Sequence, residues 1–315
     1  MSQAREAYAL AATRPGGKVV LDAHQPRVAG EAATAQPAHF KDLPGGEAMK
    51  FVLIHGGWQG GWARDAVSAL LRAGGHEVFA PTLRGLAEGD TGRASVTLAD
   101  MAARLIQQIE EQDLEDFVVA GHSGGGPVTQ LVADRLGAEP GGRVRRVVFM
   151  SAWVLRDGES INDIRPPDQV GASRAQAQQS PDNTVPMDPE RWASEFMQDA
   201  TPQQLKAVVP RLVPSPFGWF DQAIDLPRFF ELRLPASYIF LKQDRAAPRA
   251  SYETMAARLR NPERVECEGS HQAMQTRPGA VATALLAALG TGHHAAQHDL
   301  PGLHFPQTAI VTRRT

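Results

Sequence analysis

The stretch Gly121-His122-Ser123-Gly124-Gly125 decides how this chain is read. In front of it runs Phe117-Val118-Val119-Ala120, a continuous apolar run of the kind found in strands buried on both faces. Behind it, residues 125–136 carry a helical pattern that stops at Gly137. A serine flanked by such glycines, where a strand turns directly into a helix, is the nucleophile-elbow pattern G-x-S-x-G. Sterics explain the glycines. Side chains at the flanks collide with neighbouring backbone, and the apex residue is held in a strained conformation that lifts its hydroxyl clear of the sheet. The helix N-terminus beside it favours developing negative charge. Ser123 is the candidate nucleophile.

Working outward, the chain alternates strands and helices. Phe51-Val52-Leu53-Ile54 reads as a buried strand ending in His55-Gly56-Gly57. Residues 63–73 read as a helix stopped by Gly74-Gly75, and 77–80 as a strand stopped by Pro81. Residues 97–112 form an amphipathic pattern with Leu98, Met101, Leu105 and Ile109 on one stripe. A strand follows the elbow helix at 144–151. This order predicts an α/β protein, a mostly parallel central sheet with helices on both faces.

The alternation lapses over 155–233, which is rich in Pro, Gln and Asp with helical patches at 189–199 and 202–209. We read it as a helical cap inserted into a core of residues 49–154 and 234–290. The core resumes with a strand at 237–241, a helix at 250–260, a strand at 264–268 and a helix at 280–289. Residues 1–48 read as an extension, partly disordered or draped over the domain, and 291–315 as a tail holding His293, His294, His298 and His304.

The composition excludes several classes. Of 315 residues 43% are hydrophobic and 21% charged, as expected for one large soluble domain. The net charge of -3, with no basic cluster, argues against a nucleic-acid partner. No apolar run is long enough for a membrane span, and Ala7-Tyr8-Ala9-Leu10-Ala11-Ala12 lacks the basic lead-in of a signal peptide. Cys267 is the one cysteine, so no intrachain disulfide is possible and a cytoplasmic location is the simplest expectation. The expected partner is a small-molecule ester; a homodimer is left open.

A serine hydroxyl needs a base. His271, in Glu268-Gly269-Ser270-His271-Gln272, follows the last predicted strand and is preferred over the tail histidines. His55 and His122 adjoin the site and read as structural hydrogen-bonding residues. The acid is Asp244, two residues beyond Tyr238-Ile239-Phe240-Leu241, at the carboxyl edge of the sheet; Asp157 is the runner-up. The chain order Ser123, Asp244, His271 is the one that accompanies this elbow. The oxyanion donors should be the backbone N–H groups of Gly124 and Gly57. Trp58, Trp153, Trp192, Phe217 and Trp219 are candidate pocket residues.

These residues resemble a known family. Phe51 to Trp58 with Gly61-Trp62, then Gly75-His76-Glu77-Val78, Ala80 to Gly85, Gly121-His122-Ser123, Lys242-Gln243-Asp244 and Gly269-Ser270-His271 resemble the plant methylesterase and hydroxynitrile lyase group of α/β-hydrolases. Bacterial pyrethroid-hydrolysing esterases share the pattern. The resemblance covers roughly residues 50–290 and implies an α/β-hydrolase fold with a helical cap, a Ser-His-Asp triad and no metal or cofactor.

The same resemblance separates hydrolases from lyases. The lyases carry threonine after the histidine of the first loop and lysine after the catalytic histidine; here stand Gly56 and Gln272. A neutral Gln272 does not hold departing cyanide, so the expectation is a serine hydrolase cleaving a small, neutral, fairly apolar carboxylic ester through an acyl-enzyme. The rival readings are a hydroxynitrile lyase, a lactonase or carbon–carbon hydrolase on the same triad, and a non-catalytic small-molecule receptor. Gly124 departs from the Leu, Met or Cys frequent after the nucleophile, and Gly57 from alanine. Their small size predicts extra room for branched or aryl acyl groups.

Overall fold

A computed structural model describes residues 47–137 and 141–290. The expected N-terminal extension, up to residue 46, and the tail histidines lie outside the described residues. Strands β1 (Lys50–Ile54), β2 (Glu77–Phe79), β3 (Phe117–His122) and β4 (Val144–Met150) come first. Helices α1 (Asp65–Ala73), α2 (Leu98–Glu111) and α3 (Gly125–Leu136) connect them. After β4 the chain leaves the sheet and builds short helices and an antiparallel pair, β5 (Thr184–Val185) with β6 (Ser215–Pro216). It returns as β7 (Ala236–Leu241), α4 (Arg249–Ala257), β8 (Glu263–Cys267) and α5 (Pro278–Ala287).

The six sheet strands run in the order β2-β1-β3-β4-β7-β8, every pairing parallel. Successive residues of a strand point to opposite faces, and the core obeys this. Val52, Ile54 and Val119 pack with Met101, Leu105 and Val128 from α2 and α3 and with Met255 from α4. Phe51, Leu53 and Val118 pack on the other face with Val67 and Leu71 from α1 and Val281 and Leu285 from α5. This double burial is why Phe51–Ile54 of β1 and Phe117–Ala120 of β3 read as unbroken apolar runs.

Helix α2 starts where its sequence dictates. Thr97 accepts from the Asp100 N–H while Asp100 accepts from the Thr97 N–H, a reciprocal cap. One helix was not foreseen. Residues Pro167–Gln179 form it with only Ser173 and Ala177 buried, so it lacks the apolar stripe that marks a helix in sequence. The predicted patch at 189–199 resolves into one turn, Pro189–Arg191, followed by a wider π-type turn over Trp192–Phe196.

Candidate active site

The elbow lies between β3 and α3, at the carboxyl end of the sheet. Ser123 has φ 54, the left-handed region that non-glycine residues rarely occupy. Two close approaches fix the glycines. A Cβ on Gly121 would stand 2.1 Å from Thr129 Oγ1 and 2.7 Å from the Gly125 carbonyl. One on Gly125 would stand 2.6 Å from the His55 carbonyl. The strained turn is held by Ser123 N–H donating to Met150 O at 3.2 Å, and by Ser123 O accepting from Gly126 N and Trp153 N. Ser123 is half-buried while His122 and Gly124 on either side are buried.

The structure brings His271 and Asp244 together. His271 Nδ1 and Asp244 Oδ2 are 2.7 Å apart, with side chains 2% and 3% exposed. Asp244 Oδ1 accepts from Ala246 N at 2.8 Å. Tyr252 lies against the same carboxylate, and its hydroxyl is pushed well above the usual range by burial and then by Asp244. Gln243 ties the two loops, accepting from Gly269 N and donating to Glu268. The runner-up Asp157 is occupied elsewhere, accepting from Leu226 N at 2.8 Å.

No hydrogen bond joins Ser123 to His271 among the described residues; the two meet around His122. A Cβ on Gly56 would stand 3.0 Å from Ser123 Cβ and 3.1 Å from His122 Nδ1. The His122 ring in turn lies 4.4 Å from the His271 ring, centroid to centroid. Such bonds are often long before substrate binds.

The neighbouring histidines differ from each other. His55 is structural, as expected. Its Nδ1 donates to Gly56 O at 2.8 Å and its Nε2 accepts from Leu83 N at 3.0 Å, which fixes a neutral tautomer. Burial first, with Arg64 nearby, pushes it down to about 3. His122 is buried against the His271 ring, with the His271 backbone beside its imidazole. Burial, then His271, holds it well below the ordinary histidine range.

The N–H groups expected as oxyanion donors, Gly57 and Gly124, enter no hydrogen bond among the described residues. The space beside them is not open, which overturns the expected extra room. A Cβ on Gly124 would meet Trp219 Cζ2 at 3.0 Å; one on Gly57 would meet Phe220 Cζ at 3.9 Å and Trp219 Cζ3 at 4.0 Å. Trp219 Nε1 also donates to Gly124 O at 3.2 Å.

The other pocket candidates divide. Trp58, at φ 62, donates its N–H to Ser215 Oγ and its Nε1–H to Val185 O, and its ring lies between Phe196 and Phe220. Trp153 follows β4, donates its N–H to the Ser123 carbonyl and packs on Tyr252. Phe217 sits under the Arg174 guanidinium. Trp192 is fully buried, stacked on Phe196 and bonded to Met197 Sδ, one ring removed from His271. The ring that meets His271 edge-on at 5.1 Å is Phe196. The segment around it straps the histidine loop, through Gln272 N to Phe196 O and through Asp199 Oδ2, which accepts from Ser270 N, Thr276 Oγ1 and Arg277 Nε. Sequence patterns carried no signal for Asp199 or Ser215.

Comparison with known proteins agrees with the fold. Residues 51–284 match the family model described as alpha/beta hydrolase family. A carbendazim-hydrolysing esterase of Nocardioides sp. (strain SG-4G) is 36% identical over 126 residues, 39% of this chain and 50% of the relative. Putative methylesterase 13 of Arabidopsis thaliana is 25% identical over 250 residues, 75% of this chain and 55% of the relative. The chain thus spans about half the length of these two relatives. Among solved structures, an extracellular alpha/beta-hydrolase from a Paenibacillus species superimposes with a TM-score of 0.71 at 29% identity, covering 76% of this chain and 98% of that one.

Proposed function

The chain belongs to the alpha/beta hydrolase family, and from that premise we propose that it is a serine esterase, cleaving small, neutral, fairly apolar carboxylic esters through an acyl-enzyme. The observation that carries this reading is the buried Asp244–His271 pair beside the strained Ser123 elbow. His271 takes the Ser123 proton as the hydroxyl oxygen attacks the ester carbonyl carbon. Asp244 holds the imidazole tautomer with Nδ1–H toward itself and stabilises the imidazolium. The N–H groups of Gly57 and Gly124 receive the developing oxyanion, a contribution of about 3–4 kcal/mol per donor where such groups have been removed. His271 returns its proton to the departing alkoxide, and the alcohol leaves. Water then repeats the sequence on the acyl-enzyme, releasing the acid and free Ser123.

Gln272 supports ester cleavage over cyanohydrin cleavage. It is buried and neutral, and its Oε1 accepts from Gln275 Nε2 at 3.1 Å, so no cation stands beside His271 there to hold cyanide. The relatives' names point the same way, to an esterase and a methylesterase. The test is turnover of p-nitrophenyl esters and of mandelonitrile by the wild type and by Ser123→Ala. The reading expects ester hydrolysis that Ser123→Ala abolishes and no cyanide release. Near wild-type hydrolysis by Ser123→Ala refutes it.

A further inference from the structure

Two residues that the mechanism uses for their backbone have no side chain, and the Trp219 ring stands against the vacant side-chain position of Gly124 and in contact distance of that of Gly57. The atom nearest the missing Cβ of Gly124 is Trp219 Cζ2, at 3.0 Å; around that of Gly57 stand Ser215 Oγ at 3.5 Å, Phe220 Cζ at 3.9 Å and Trp219 Cζ3 at 4.0 Å. That ring therefore walls the Gly124 side of the oxyanion hole and reaches toward Gly57, where Ser215 and Phe220 complete the wall.

The ring is also fixed. It is fully buried, it stacks on Phe220 at 5.7 Å, and its Nε1–H is committed to Gly124 O. The short helix that carries it, Phe217–Asp221, is pressed against the core. A Cβ on Gly218 would stand 2.6 Å from the Val96 carbonyl. Packed interiors give way little, so a substituent on the carbonyl carbon that branches toward this ring meets a wall.

We infer that Trp219 is the specificity-determining residue of this site, and that it restricts the acyl group to slim chains unbranched at the carbon next to the carbonyl. The inference rests on the esterase reading above. The indole takes the volume that a larger residue at position 124 would fill, so the two positions are interchangeable in effect. Removing the ring opens the acyl side, and placing leucine at Gly124 closes it again.

The experiment compares p-nitrophenyl acetate with p-nitrophenyl trimethylacetate, two esters with the same leaving group. The wild type is expected to favour acetate. Trp219→Ala is expected to raise the trimethylacetate-to-acetate ratio of kcat/KM by roughly tenfold or more, the scale on which pocket volume discriminates hydrocarbon groups. Adding Gly124→Leu to Trp219→Ala should bring the ratio back toward wild type. Trp219→Phe removes the hydrogen bond and keeps most of the wall, so it should retain the acetate preference. Where Trp219→Ala does not fold, Trp219→Leu carries the same comparison. An unchanged ratio in the truncated variant, with hydrolysis still dependent on Ser123, overturns the inference alone. Absence of Ser123-dependent hydrolysis in the wild type overturns the esterase reading and the inference with it.

Discussion

Asp244 and His271 form a buried pair, Oδ2 to Nδ1 at 2.7 Å, supplied by two loops that leave adjacent parallel strands. Asparagine at 244 keeps the shape and reverses the donor–acceptor sense on one side, favouring the wrong imidazole tautomer. Asp244→Asn should lower kcat by roughly 10⁴ with the fold intact, by analogy with the same change in other triads. Asp157→Asn, whose partner is the Leu226 backbone, should leave kcat within about threefold, since it touches only folding stability. Steady-state kinetics with circular dichroism as the fold control decides this; comparable losses at both positions contradict the assignment.

The elbow's glycines answer to sterics, and alanine substitution measures that. A Cβ on Gly126 would lie 2.0 Å from the Trp153 carbonyl, a backbone atom that has no room to retreat. Gly126→Ala should cost about 1–3 kcal/mol or more in urea unfolding. Gly171 sits inside the helix Pro167–Gln179 with nothing within 4 Å of its Cβ position. Gly171→Ala should therefore stabilise by about 0.5–1 kcal/mol. Equal effects at the two sites contradict the steric account.

What could be read from sequence follows from how local the constraint is. The elbow was legible because its glycines stand close together in the chain and Gly121 is fixed by Gly125 and Thr129 just beyond it, even though Gly125 itself is fixed by the distant His55 carbonyl. The reciprocal cap of Thr97 and Asp100 is equally local, and so α2 was placed within one residue at each end. The helix Pro167–Gln179 was not legible because its neighbours bury only Ser173 and Ala177. The site's walls were misread for a related reason. Gly124 signals an absence of bulk, but whether the vacancy is empty depends on Trp219, ninety-five positions away. Phe196, Asp199 and Ser215 likewise act through contacts that only the folded cap makes.

Acid should destabilise the fold through its buried histidines. His55 is pushed down to about 3 from 6.5, so between those values the unfolded chain binds the proton that the folded chain refuses. Stability is therefore full above about pH 6.5 and falls as the pH drops toward 3, by up to about 1.4 kcal/mol per unit for this group. His122, also held low by burial, adds to the slope. Urea unfolding of His55→Gln from pH 4 to 7 should show a shallower dependence than wild type. Parallel curves contradict the prediction.

Arg64 is a buried cation with no carboxylate partner among the described residues. Its Nη2 reaches only the Ile54 carbonyl at 3.4 Å and its Nη1 has no partner. Together with His122 it borders a cavity of about 20 Å³ lined mostly by aliphatic side chains such as Leu53, Val67 and Leu285. Burial pushes its guanidinium down to about 9. Removing the charge should relieve the desolvation cost. Arg64→Met should raise the unfolding free energy at pH 7 by about 1 kcal/mol or more. A variant less stable than wild type at pH 7 contradicts this.

The central claim is that Ser123 carries the acyl group during turnover. Rapid acid quench of wild-type protein mixed with p-nitrophenyl acetate, followed by peptide mass mapping, tests it directly. A transient acetyl adduct should appear on Ser123, decay as acetate is released, and be absent in Ser123→Ala. Hydrolysis that proceeds with no acetyl group on Ser123 would contradict it.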